Sequence, residues 1–136
     1  MKSITTTLMF VCEQAGKAEE AIKLYTSVFP NSKVIDIQYY GVDEPEPEGS
    51  VKLARFTING VELMARDSHL DHKFSFTPSM SLHVECESES EIQDAFATLA
   101  KGGTELMPLD NYGVSEKFGW LNDKYGVSWQ FNLSEE

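Results

Sequence analysis

The run ITTTLMFVC is rich in β-branched and aromatic residues, and Glu13 to Gly16 interrupt it, which predicts a strand. The pattern then changes period. In KAEEAIKLYTSVF the residues Ala18, Ala21, Ile22, Tyr25, Val28 and Phe29 recur at intervals of three and four, the stripe of an amphipathic helix. Pro30-Asn31 stops it. SKVIDIQYYG predicts the next strand. DEPEPEG follows as a charged loop, expected to be mobile because its prolines remove backbone donors and its acids repel one another. VKLARFTI and VELMAR flank Asn59-Gly60, a dipeptide that accepts positive φ in a two-residue hairpin turn. The first half therefore reads β-α-β-β-β.

Residues 67–78, DSHLDHKFSFTP, form a connector, and after it the order repeats. SMSLHVEC predicts a strand. SESEIQDAFATLAKGG predicts a helix with Ser88 as its cap, Glu91 three residues on, and Ile92, Ala95, Phe96 and Leu99 as its apolar face. Gly102 and Gly103 end it. Thr104 to Met107 is expected as a short strand, PLDNYG as a loop, VSEKFGWLN as a strand, Asp123 to Gly126 as a turn, and VSWQFNL as the last strand. TTTLMFVC lies over SMSLHVEC, setting Cys12 over Cys86; GVELMA lies over GVSWQF, setting Met64 over Gln130. The expectation is an α+β fold in one domain, 1–136, made of βαβββ modules 1–66 and 79–136 joined by connector 67–78.

Alternation assigns faces. Val127, Trp129 and Phe131 should pack on a helix, while Ser128, Gln130 and Asn132 point away from it. The same count groups Thr5, Thr7 and Met9 on one face of the first strand, and Ser79, Ser81 and His83 on its counterpart. A cleft lined by Thr5, Thr7, Met9, Met64, Ser79, Ser81, His83 and Gln130, with Trp120 on the paired strand, is a small-molecule surface of hydroxyls, soft apolar groups, one imidazole and one amide. His83 is the candidate catalytic base, with Glu85 two residues on as partner carboxylate. His69 and His72 sit three apart among Asp67 and Asp71, a spacing open either to a metal or to a solvated loop. Cys12 and Cys86 read as buried small hydrophobes.

The β-α-β-β-β duplication, AEEAIKLYTSVFPNSKV, the SMSLHVEC strand before an acidic helix, and FGWLNDKYGVSWQF together span nearly the whole chain. In these features the chain resembles the vicinal oxygen chelate (glyoxalase/bleomycin resistance/dioxygenase) superfamily. Within it, the chain resembles the PhnB-like branch, whose domain carries the label 3-demethylubiquinone-9 3-methyltransferase. The resemblance implies that the two modules form a curved mixed sheet around a cleft, and that the protein is a homodimer. Superfamily enzymes hold a divalent metal there through His, Gln and Glu on the first and last strands of each module. Carried onto this chain, those positions fall near Thr5, Met64, Ser79 and Gln130, and an offset of two residues brings in Met9 and His83. Hydroxyls and thioethers are poor ligands for zinc-like ions, so no metal is expected. The sequence has no Gly-rich strand-to-helix loop for a nucleotide-like cofactor, so none is expected of that kind either.

Charge narrows the partners. Twenty-two Asp and Glu against 11 Lys and Arg give a net charge of -11, a field that repels nucleic acid and anionic membranes, and no basic cluster offsets it. The apolar fraction of 41% suits a globular domain, which at this size buries roughly two-thirds of its unfolded surface. Two cysteines and no long apolar run point to a cytoplasmic protein with reduced thiols. The functional expectation is metal-independent binding of a small, partly apolar molecule. One alternative is a superfamily enzyme of lyase, isomerase or oxygenase type, using an atypical metal site or His83 as general base. Another is an interaction module that presents the acidic loop Asp43 to Glu48 to a basic partner.

Overall fold

The computed structural model describes residues 1–135, which divide into two compact units, 1–75 and 76–135. The first holds β1 (Thr7–Phe10), a 3₁₀ turn (Cys12–Gln14), α1 (Ala18–Val28), β2 (Lys33–Tyr39), β3 (Val51–Ile58) and β4 (Val61–Asp67). The second holds β5 (Ser81–Cys86), α2 (Glu89–Ala100), β6 (Thr104–Asp110), β7 (Lys117–Asn122) and β8 (Ser128–Leu133). Each unit is thus βαβββ, the α+β architecture expected of the repeat.

In the first unit the strand order is β1-β4-β3-β2, with β1 parallel to β4 and the other pairs antiparallel. Ala21, Ile22 and Tyr25 of α1 are buried with Phe10, Ala54, Phe56 and Ala65, the residues that alternation turns toward the helix. Asn59 (φ 50°) and Gly60 (φ 78°) close the β3–β4 hairpin with both central residues in the left-handed region, as the dipeptide predicts. Asp67, 2% exposed at the end of β4, ties three segments together. Its carboxylate accepts the N–H groups of Gly16 (2.9 Å) and Ala18 (3.1 Å) at the start of α1, and of Val51 (2.8 Å) at the start of β3. The acidic loop is also fastened: Glu44 pairs with Lys52 at 2.7 Å, and Glu46 accepts the backbone N–H of His69 at 2.6 Å.

The second unit repeats the order as β5-β8-β7-β6. Ser88 accepts the Glu91 N–H at 3.1 Å, while the Glu91 carboxylate reaches back to the Glu87 N–H at 2.7 Å, one residue earlier than a reciprocal capping box would place it. Ile92, Ala95, Phe96 and Leu99 are buried, and the Phe96 ring meets Phe131 edge-on at 5.8 Å. Asp123 shapes the β7–β8 turn by accepting the N–H groups of Tyr125 (2.9 Å) and Val127 (3.0 Å). Its second oxygen takes the Trp129 indole N–H at 3.0 Å.

Strand boundaries differ from the sequence reading at β1, β5, β6 and β7, the last of which starts at Lys117 and not at Val114. β5 starts at Ser81, because Ser81 pairs with Ser128 and two residues earlier its partner strand would already be the Asp123–Gly126 turn. Ser79 therefore lies outside the strand, its hydroxyl 2.6 Å from that of Thr77. β1 likewise starts at Thr7, leaving Thr5 ahead of it, although the Thr6 carbonyl still accepts the Met64 N–H at 2.9 Å. β6 continues through Pro108 to Asp110, which an edge strand with register shifts permits. The pairing also corrects the overlay of the halves. Phe10 lies beside Asp67 and Cys86 beside Leu133, so Cys86 corresponds to Phe10. Cys12 sits two residues further on, in the 3₁₀ turn, and is exposed.

Candidate functional site

Strand pairing in the second unit sets nine side chains in a grid on the sheet face opposite α2. Ser81, His83 and Glu85 of β5 stand beside Ser128, Gln130 and Asn132 of β8. Those three stand in turn beside Asn122, Trp120 and Phe118 of β7. The odd-even rule holds throughout: Trp129, Phe131 and Leu121, on the other face, are buried.

Hydrogen bonds organise the grid into two clusters. Ser128, 2% exposed, accepts the Trp120 indole N–H at 2.8 Å and the Ser81 hydroxyl at 2.9 Å. The Trp120 ring is thereby held at a fixed angle beside Gln130. In the other cluster His83 Nε2 lies 2.7 Å from Glu85 Oε1, and Asn132 Nδ2 reaches both Glu85 oxygens at 3.0 and 3.2 Å. Ser134 adds its hydroxyl to Glu85 Oε2 at 3.3 Å. The His83 hydrogen bond, followed by those of Asn132 and Ser134, holds the Glu85 carboxyl below its ordinary value, against a smaller opposing effect of burial. Glu85 is then an ionised acceptor at neutral pH, which requires His83 Nε2 to carry the proton. His83 Nδ1 and the Gln130 amide have no partner among the described residues. The Asn122 Oδ1 atom is buried and also has none.

The structure brings Ser81, His83, Trp120 and Gln130 together and leaves Ser79 out. In the first unit Thr7 stands beside Met64 and Met9 beside Arg66, with Thr5 before the strand. Arg55, beside Met64, is paired with Asp36 at 2.9 Å. Ser128, Asn132, Asn122 and Phe118 belong to the same face as the expected site. Period-two counting from Gln130 and Trp120 reaches all four, and what it lacks is any sign of their hydrogen bonds.

The connector histidines go elsewhere. His72 Nε2 lies 2.8 Å from the Ser68 hydroxyl and His69 Nδ1 lies 3.2 Å from Glu46, while Asp67 is spent on backbone N–H groups. Cys86 is buried and its thiol is pushed up to about 12, chiefly by that burial. Cys12 is exposed, with its Sγ 3.5 Å from the His72 carbonyl, so the expectation that both thiols are buried holds for Cys86 alone.

A divalent metal does not fit the residues at the superfamily positions. The positions paired across the first and last strands are Thr7 with Met64 and His83 with Gln130. They comprise a hydroxyl, a thioether, an imidazole and an amide, with no carboxylate. Two acids lie two residues from these positions: Glu85, whose oxygens are taken by His83, Asn132 and Ser134, and Glu62, which lies 3.9 Å from Arg55. Among the described residues no three His, Cys, Asp or Glu side chains are grouped to hold an ion. An open depression of about 740 Å³ lies at the start of α2, rimmed by Cys86, Glu87, Ser88, Glu89 and Glu116. It contains none of the grid residues, and its glutamates would repel an anion from the helix terminus.

The 3-demethylubiquinone-9 3-methyltransferase family model matches residues 2–132. The PhnB protein of Bacillus cereus has a similar structure at 53% identity and a TM-score of 0.92, over 98% of this chain and 100% of that one. A Pseudomonas aeruginosa protein of known structure is 26% identical with a TM-score of 0.79, over 98% and 100% of the two chains. A glyoxylase/bleomycin resistance protein/dioxygenase domain from Frankia is 13% identical with a TM-score of 0.66, over 99% of each, a likeness of fold. A search of the curated proteins found no match. The chain belongs to the 3-demethylubiquinone-9 3-methyltransferase family, the PhnB-like branch of the vicinal oxygen chelate superfamily.

Proposed function

We propose that the protein binds a small, partly apolar molecule without a metal, on the helix-free sheet face of its second unit. The observation that carries this reading is the row His83–Gln130–Trp120. It combines an imidazole nitrogen and an amide, both without partners, with an indole fixed by Ser128. Polar groups beside a rigid aromatic are the usual means of orienting a small ligand. Ser81 supports the Trp120 anchor through Ser128. Thr7, Met9 and Met64 offer a second, softer surface in the first unit. Thr5 and Ser79, off their strands, are weaker candidates.

The methyl transfer in the family's description needs a nucleotide-like cofactor, and the strand-to-helix connections do not suit one. The start of α1 is filled by the Asp67 carboxylate, and the start of α2 is capped by Ser88 among glutamates. A second reading, proton transfer by His83 as general base, draws on the 2.7 Å His83–Glu85 pair. The acidic loop offers less to a basic partner than its sequence suggested, since Glu44 and Glu46 are engaged by Lys52 and His69. No helix among the described residues is long and apolar enough to cross a membrane. We take the protein to be a cytoplasmic homodimer that does not bind nucleic acid, on the strength of its charge and of the family it belongs to.

Native mass spectrometry of protein purified without added metal or chelator, followed by elemental analysis, tests the reading. A dimer that retains an organic molecule and no stoichiometric metal is the expected result. One tightly held divalent ion per chain would overturn it and make turnover assays the next step.

A further inference from the structure

We propose that this face selects an uncharged aromatic ligand bearing a hydrogen-bond donor over an anionic analogue of it. The inference rests on the binding reading above and adds the chemical class of the ligand. It begins with Glu85. An ionised carboxylate offers about four lone-pair sites. Glu85 receives four hydrogen bonds: His83 at 2.7 Å, Asn132 at 3.0 and 3.2 Å, and Ser134 at 3.3 Å. It has nothing left for a ligand and acts only through His83, as a positioning residue. Because it accepts from Nε2, an imidazole whose one proton sits there presents Nδ1 as a bare acceptor. A second acceptor on the same face, Asn122 Oδ1, is buried without a partner, and such an atom favours any donor that reaches it. Gln130, between them in the grid, can give or accept. The unmet need of the face is therefore for donors.

Charge sets the rest. The strand positions on this face carry no Lys or Arg. Lys117, one residue before Phe118, falls on the opposite side and pairs with Glu89 at the start of α2. An anion would lose its hydration beside Glu85 and gain no cation in return. Trp120 and Phe118 supply flat apolar surface with one polar edge already satisfied, which suits an aromatic ring.

The test uses the ¹⁵N-labelled protein and two probes that share one ring, phenol and benzoate. Long-range ¹H–¹⁵N correlation first reads the His83 tautomer without ligand, and the expected form is Nε2–H. Each probe is then titrated to millimolar concentration while the Gln130 amide, the Trp120 indole N–H and His83 Nδ1 are followed. Phenol should shift all three, and bind at least about tenfold more tightly than benzoate. Glu85→Ala should mix the tautomers and weaken phenol about fivefold. Asn132→Ala, which leaves the Glu85 charge in place, should do the same to a smaller degree. A His83 Nδ1–H tautomer in the free protein would overturn this proposal and leave the binding reading standing. So would benzoate binding on these residues as tightly as phenol. If no probe perturbs them, the binding reading fails and the proposal with it.

Discussion

Asp67 shows how much one side chain can decide. A buried carboxylate costs several kcal/mol unless its oxygens are hydrogen-bonded, and here three backbone N–H groups from two distant segments meet it. Replacing it by alanine would strand those donors in the interior. Asp67→Ala should lower stability by about 3 kcal/mol, read as a drop in the urea midpoint, and Asp67→Asn, which keeps one acceptor oxygen, should cost less. Nothing in DSHLDHK distinguishes Asp67 from Asp71, which is exposed. The difference lies in which residues 16, 18 and 51 come to face it, and that is information held by the fold. His83 was easier to read. Its face followed from alternation and its partner from the spacing to Glu85, because neighbours two apart on a strand share a side.

At the scale of elements, the sequence reading succeeds where the pattern is long and fails where a partner strand sets the limit. Both helices are placed by their apolar stripes, and Asn59-Gly60 marks its hairpin through the backbone angles the turn demands. The starts of β1 and β5 were misplaced, which removed Thr5 and Ser79 from the expected site. Thr and Ser fit strand and turn alike, and the arbiter is how far β4 and β8 extend beside them. β6 was cut short because Pro108 argues against a central strand, whereas β6 lies at an edge. Close packing also fixes Gly103, between α2 and β6. A Cβ there would lie 2.1 Å from the Asn122 carbonyl oxygen, a backbone atom that cannot turn aside. Gly103→Ala should destabilise the protein by about 3 kcal/mol in chemical denaturation, whereas Gly113→Ala, with nothing within 4 Å of the added carbon, should cost only the strain of its positive φ.

Over the whole molecule the acidic excess works with a few organised pairs. Glu19, held by Tyr39, Glu44, held by Lys52, and Glu85, held by His83, all titrate below the ordinary value of 4.5. A depressed carboxylate contributes stability above its unfolded pKa and loses it as pH falls through its folded one. Melting temperature should therefore decline as the solution is acidified below about pH 4.5, with all three carboxyl ¹³C titration midpoints below that value. Tyr39→Phe, which removes the largest influence on Glu19, should return that midpoint toward 4.5. The strand order carries a different consequence, for how the chain is made. In each unit the last strand to leave the ribosome is an inner one, β4 between β1 and β3, and β8 between β5 and β7. Neither sheet can be completed as it is synthesised, and each waits for its final segment to be inserted. A premature stop just before Ser128 would take only one strand, β8, from the second sheet. It would still leave β5 and β7 with an empty lane between them, and the nascent product would be handed to chaperones and proteases as though half of it were missing.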